Sequence, residues 1–269
     1  MATKKLTRSL NVSFIDDPYL AVYFKRFYDK NIKGEVDELN IHINGENLEV
    51  IDFINRLWTG TANNILTEVK EPKTINHGEA LNELYKIQNG DIFIIMDSDN
   101  FVYKKGIVDE YCQDIENLFD YVGSNHPYMC FFRAEMLDDI KVDFREEHEN
   151  GRFHDTMENL LVKIAKYKRK FIAVDVEGEY EHIGRLSAFP MFVNDCWLDK
   201  DKGISRPLRK LFGRANRVAL IRHIFKQTKD EVDMPLYNNF YQDIFFDVCN
   251  EVGHKIANID KIIKEKYET

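Results

Sequence analysis

Asp91-Ile-Phe-Ile-Ile-Met-Asp97-Ser98-Asp99-Asn100-Phe-Val102 is the stretch on which the reading of this chain turns. Five apolar residues in a row, Ile92 to Met96, come after the stop signal Asn89-Gly90 and read as a strand that delivers Asp97 and Asp99 side by side at its end. Side chains two apart along a strand share a face, so this spacing predicts that Asp97 and Asp99 address one ion while Ser98 turns away. Hard oxygen ligands suit Mg2+, Mn2+ or Ca2+, and a site with only one or two carboxylates leaves positions for water and a substrate phosphate. The competing reading is plainer: Asp97, Asp99 and Asn100 end a strand and begin a turn, because Asp and Asn are turn formers.

Working outward, apolar runs and helical spacing alternate. Leu10 to Ile15 reads as a first strand, Tyr19 to Tyr28 as a helix, and Glu38 to Ile43 as a second strand ending at Asn44-Gly45. Leu48 to Trp58 carries apolar residues at helical spacing, and Asn64 to Val69 is a third short strand. A helix from about Gly78 to Gln88 leads into the strand above. Strand, helix, strand in succession implies parallel pairing and an α/β fold. In open parallel sheets ligands bind beyond the carboxyl ends of the strands, where Asp16, Asp17, Asn44 and Asp97 all fall. Asp17-Pro18 is equally an ordinary helix start.

The sequence ahead of the acidic pair, Asn76-His77-Gly78-Glu79-Ala80-Leu81-Asn82, then Gly90-Asp91 and the apolar strand ending in Asp97-Ser98-Asp99, resembles the metal-motif region of GT-A glycosyltransferases, in particular the family-2-type nucleotide-sugar enzymes. A second block, Tyr128-Met-Cys-Phe-Phe-Arg-Ala-Glu-Met-Leu137 with His154-Asp155-Thr-Met-Glu158-Asn-Leu160, is similar to the acceptor half of that family. The resemblance covers roughly residues 8 to 190. It implies a Rossmann-like mixed sheet flanked by helices, and transfer of a sugar from a nucleoside-diphosphate sugar to an acceptor hydroxyl with a Mn2+ or Mg2+ cofactor.

Residue by residue, it puts Asn76, Asp97, Ser98 and Asp99 at the donor, with Asp16, Asp17 and Asn44 beside the nucleotide. Asp155 takes the place of the catalytic base. His182, in Tyr180-Glu-His-Ile-Gly-Arg-Leu-Ser187, resembles the third metal contact that several GT-A families supply from their C-terminal side. The chain departs from the pattern at His154, where many members carry a second carboxylate. From the residues alone, Asp155-x-x-Glu158 is also the spacing of a capping box, with Leu160, Leu161 and Ile164 on the apolar face of the helix it starts. Glu158 or His154 then stands as the substitute base. Inversion is the expected outcome, with retention the alternative on the same fold.

Composition agrees with a globular enzyme. The 269 residues are 44% hydrophobic and 13% aromatic, enough for a sizeable core and unlike a disordered chain. No run approaches the roughly 18 apolar residues that span a bilayer, and the first residues lack the apolar stretch of a secretory signal. Cys112, Cys130, Cys196 and Cys249 form no Cys-x-x-Cys pair, so neither a zinc cluster nor a disulfide framework is indicated, and a reducing cytoplasm is the expected compartment.

Charge is distributed unevenly. Residues 200–226 carry nine lysines and arginines against Asp201 alone, in a chain whose net charge is −9. Such asymmetry reads either as contact with a polyanion or a membrane surface, or as a solvated basic face. The expected organisation is a domain over 1–190, divided into a nucleotide-sugar half (1–100) and an acceptor half (101–190), with a helical, partly basic extension over 191–269. Closing helices are expected at Pro235 to Val252 and Ile256 to Lys266. Glycan, lipid-linked carrier and nucleic acid are the candidate acceptors. Two other classes compete with glycosyl transfer. A nucleotidyltransferase would want a Gly-rich, basic loop after the first strand, which Ile15-Asp-Asp-Pro18 does not offer, and a non-catalytic protein would hold polyanions through 200–226.

Overall fold

The computed structural model describes residues 5–15, 18–45, 48–69, 77–102, 104–123, 128–145, 147–149, 152–154, 156–167, 169–173 and 180–182, with His154, Glu158 and His182 defined in their backbone alone. The basic segment 200–226, the expected boundary near 190–201 and the two closing helices lie outside the described residues. Met1–Asp16 and Arg26–His182 make one compact unit, and that unit carries the candidate site.

Seven strands frame it: β1 (Arg8–Ile15), β2 (Glu38–Gly45), β3 (Asn64–Val69), β4 (Ile92–Met96), β6 (Tyr121–Gly123), β7 (Met129–Arg133) and β10 (Phe171–Ala173). They form one sheet in the order β10-β6-β7-β4-β1-β2-β3. β1, β2, β3 and β4 run parallel, as the alternating pattern predicts, and β7 is antiparallel to both β4 and β6. The helices are α1 (Pro18–Phe27), α2 (Leu48–Trp58), α3 (His77–Ile87), α4 (Ile107–Asn117), α5 (Ala134–Asp139) and α6 (Thr156–Lys166), and a π-helical turn, Tyr28–Ile32, comes directly after α1. Two short pairs stand apart from the main sheet: β5 (Asn100–Val102) with β11 (Tyr180–His182), and the hairpin β8 (Glu147–Glu149) with β9 (Arg152–His154).

Period-two alternation divides the sheet into unlike faces. On one face Leu10, Val12 and Phe14 of β1 and Leu39, Ile41 and Ile43 of β2 are fully buried. α2 covers this side, with the Trp58 ring centroid 5.9 Å from that of Phe14. On the other face of the same strands stand Ser9, Asn11, Asn40, His42 and Asn44, also buried. A buried polar row survives only if its groups are hydrogen-bonded. Asn11 Nδ2 donates to Ser9 Oγ at 3.2 Å, Asn40 Nδ2 to Asn11 Oδ1 at 3.1 Å, and Asn64 Nδ2 to Asn40 Oδ1 at 2.8 Å, a side-chain ladder across β1, β2 and β3.

Further along that face the chemistry turns apolar. Leu81 and Leu84 of α3, Phe93 and Ile95 of β4, Tyr121, Cys130 and Phe132 of β6 and β7, and Leu160 and Ile164 of α6 form a single cluster with Phe144. Burying a Phe or Leu side chain here contributes roughly 1.5–3 kcal/mol. This cluster fixes α3 and α6 on the same side of β4, which is where the acidic turn begins.

Candidate active site

β4 ends at Met96, and Asp97 to Asn100 form a tight turn closed by a hydrogen bond from the Asn100 N–H to the Asp97 carbonyl at 3.0 Å. The strand alternation that would have set Asp97 and Asp99 on one face therefore does not extend this far. The two carboxylates are instead carried by the first and third residues of this turn. Tyr128, just before β7, anchors both ends of it: its carbonyl accepts from the Asp97 N–H at 2.9 Å and from Asn100 Nδ2 at 2.9 Å. The Asp97 side chain is 15% exposed, whereas Asp99 is 1% exposed and Ser98 is buried as well.

Two further elements complete the setting. β5 leaves the turn at Asn100 and pairs antiparallel with β11, with His182 opposite Asn100. The strand that bears the expected third metal contact is thus in register with the residue after Asp99. Asn31, from the π-helical turn, holds the far end of β5 by donating to the Val102 carbonyl at 2.7 Å. The second element is His77, the first residue of α3, whose Nε2 stands 3.5 Å from Asp97 Oδ1. Its place in the motif preceding the strand was the available signal.

The donor set fits a hard divalent cation. It is made of carboxylate oxygens and one amide oxygen, Asn100 Oδ1, which is buried without a hydrogen bond. Among the described residues no group of three or more His, Cys, Asp and Glu side chains could hold a metal ion. Such a site is of the kind that leaves coordination positions to water and substrate phosphate rather than enclosing its ion in protein.

Of the remaining expected site residues, Asn44 is buried at the end of β2, opposite Glu68 of β3. Asp16, Asp17, Asn76 and Asp155 lie outside the described residues. β9 ends at His154 and α6 begins at Thr156, with Glu158 in its first turn. Beside α3 runs a groove of about 850 Å3 lined by His42, Glu68, Glu79, Asn82, Asp143 and Arg145 among others. His42 is buried there with Nε2 3.6 Å from Glu68 Oε2. Burial holds its pKa below the usual histidine range, against the opposing pull of Glu68.

No family model and no curated protein matches this chain. Solved structures do match. The mannosyltransferase PcManGT from Pyrobaculum calidifontis, in complex with GDP-Man and Mn2+, superposes with a TM-score of 0.51 at 12% identity, over 94% of this chain and 88% of that one. S. aureus TarS 1-349 in complex with UDP-GlcNAc does so with a TM-score of 0.50 at 11% identity, over 95% of this chain and 83% of that one. The chain has the GT-A fold. The parallel strands β1 to β4 lie within residues 1–100, and β6 to β11 with α4 to α6 lie within 101–190. The acidic turn lies at the carboxyl edge of the GT-A sheet, where α/β folds bind their ligands.

Proposed function

We propose that the protein is a metal-dependent glycosyltransferase that moves a sugar from a nucleoside-diphosphate sugar to an acceptor hydroxyl, with inversion at the anomeric carbon. The observation that carries this reading is the Asp97–Asn100 turn at the carboxyl edge of a GT-A sheet, with the strand of His182 in register beside it. That one structural neighbour was solved with GDP-Man and Mn2+ and another with UDP-GlcNAc supports it.

In this mechanism Asp97 and Asp99, with His182, would hold a Mn2+ or Mg2+ ion, which would supply charge neutralisation for the leaving diphosphate. Asn44, with Asp16 and Asp17, lines the nucleotide side, and Asn76 and Ser98 stand at the diphosphate. The bond from anomeric carbon to phosphate oxygen breaks with its electron pair going to the nucleoside diphosphate. The acceptor oxygen forms the new bond from the opposite face and gives its proton to Asp155. Glu158, in the first turn of α6, is the substitute base. The basic segment 200–226 is the proposed contact with an anionic acceptor or membrane surface.

The test is calorimetric titration with UDP and GDP, with and without Mn2+, and then assay of nucleoside diphosphate release from UDP-GlcNAc and GDP-mannose. Metal-dependent binding with release of free nucleoside diphosphate is the expected result. Binding indifferent to the metal and no release from any nucleotide sugar would overturn it. The anomeric configuration of the product, read by NMR, decides between inversion and retention.

A further inference from the structure

Asn82 lies one turn beyond Gly78 on α3, and both hydrogen-bonding ends of its side chain are used on a single distant segment. Its Nδ2 donates to Asp143 Oδ1 at 2.8 Å, and its Oδ1 accepts from the backbone N–H of Phe144 at 3.1 Å. Asp143 is held in turn by Arg145, whose backbone N–H and Nε each donate to it at 3.0 Å. Phe144 is fully buried in the cluster of Leu81, Leu84 and Phe93, its ring centroid 5.8 Å from that of Phe93. At the contact itself there is no room for a side chain on α3: a Cβ at Gly78 would lie 2.1 Å from the Phe144 carbonyl oxygen.

The clamp grips the chain just ahead of the acceptor-side elements. Residues 142–145 feed β8, β8 pairs with β9, and β9 ends at His154, one residue before the proposed base. Beyond that residue, α6 enters the same apolar cluster through Leu160 and Ile164. Between these points the chain is bounded by a polar clamp to α3 on one side and by a helix that shares the apolar cluster of α3 on the other. The first residue of α3 stands 3.5 Å from Asp97. α3 is one rigid element that reaches the donor-side carboxylate with its head and the acceptor-side segment with its middle.

We propose that Asn82 is a positioning residue for the transfer step, fixing the segment that carries Asp155 relative to the Asp97–Asp99 turn. The inference rests on the reading of Asp155 as base given above. Packing alone would be served by an apolar residue at this point of α3, whereas an amide that donates to one atom and accepts from another fixes direction as well as distance. Misplacement by about 1 Å of a group that positions a reaction can cost on the order of 100-fold in rate.

The test uses the full chain with Asn82→Ala, Asn82→Asp and the exchange Asn82→Asp/Asp143→Asn. The last restores both bonds, the one to residue 143 with donor and acceptor exchanged, since Asp at 82 accepts from the Phe144 N–H and from the new amide at 143, whereas Asn82→Asp alone opposes two carboxylates. Hydrogen exchange is measured in peptides over 92–96 and 142–154, together with Mn2+-dependent UDP and GDP affinity and turnover of UDP-GlcNAc or GDP-mannose. For Asn82→Ala, exchange in 147–154 rises by about tenfold or more while 92–96 is unchanged. Nucleotide affinity stays within about twofold and kcat falls by about 10- to 100-fold. The exchange variant recovers both protection and kcat, and Asn82→Asp does not.

Unchanged exchange in 147–154 overturns the proposal whatever the activity, as does a loss of kcat matched by an equal loss of nucleotide affinity. A wild-type chain that shows the exchange pattern but turns over no nucleotide sugar overturns the glycosyl-transfer reading, and with it the role in transfer, while leaving the mechanical link intact.

Discussion

His77 Nε2 and Asp97 Oδ1 are 3.5 Å apart, so the head of α3 meets the first carboxylate of the acidic turn across the sheet edge. The contact ties the motif residues before β4 to those after it.

The buried member of the acidic pair is the more sensitive one. Asp99→Asn keeps the shape of a side chain that is 1% exposed and removes its charge. Mn2+-dependent nucleoside diphosphate affinity is expected to fall tenfold or more, on the order of 1.4 kcal/mol, with the circular dichroism spectrum unchanged. Turnover equal to the wild type would remove Asp99 from the site.

At the acceptor side, Asp155→Asn is expected to bind donor within about twofold of the wild type and to lose turnover by roughly 100- to 10,000-fold, the usual contribution of a general base. Single-turnover assays separate binding from chemistry. If transfer persists, the assay is to be repeated with Glu158→Gln, the first carboxylate of α6.

Gly78→Ala places a methyl group against backbone, where no flexible side chain can yield. Overpacking of this kind costs about 1–3 kcal/mol, to be read from chemical denaturation. A neutral outcome would mean that residues 142–145 are not seated on α3 as described.

Stability is expected to depend on pH through His42. Its pKa is lowered in the fold by burial, with Glu68 pulling the other way, and Glu83 and His77 also act on it. Below about pH 6.5, the ordinary histidine value, the unfolded chain takes up a proton that the folded one refuses. This contribution is complete above that pH and is lost as pH falls towards the folded pKa. Denaturation midpoints at several pH values should show the slope, and His42→Gln should flatten it.

Much of the first hundred residues could be read in the sequence because their elements are long and their patterns clean. β2, α2 and β3 carry strong local signals, and the structure begins and ends them within two residues of the expected positions. The pieces that escaped are short. β5, β6, β8, β9, β10 and β11 have three residues each, too few for a period to register, and they exist through pairings with partners up to some 80 residues away. α4 is different, since Ile107, Tyr111 and Ile115 have helical spacing that could have been recognised. The acidic residues could be singled out in the sequence but not their geometry, because the turn closed by Asn100 and hung from Tyr128 is a tertiary arrangement. His77 and Asn82 were visible as motif residues, yet what they touch depends on a loop more than 60 positions downstream in one case and on strand packing in the other.

The carbonyl of Tyr128 also has an evolutionary implication. Because one backbone oxygen from the reversed strand steadies both sides of the carboxylate loop, the spacing of that loop is controlled by residues that need never meet a ligand. Lengthening or shortening the chain just upstream of Tyr128 would retune the distance between the two acids without altering either. Relatives of this protein could therefore reshape this loop while preserving every acidic letter of the motif.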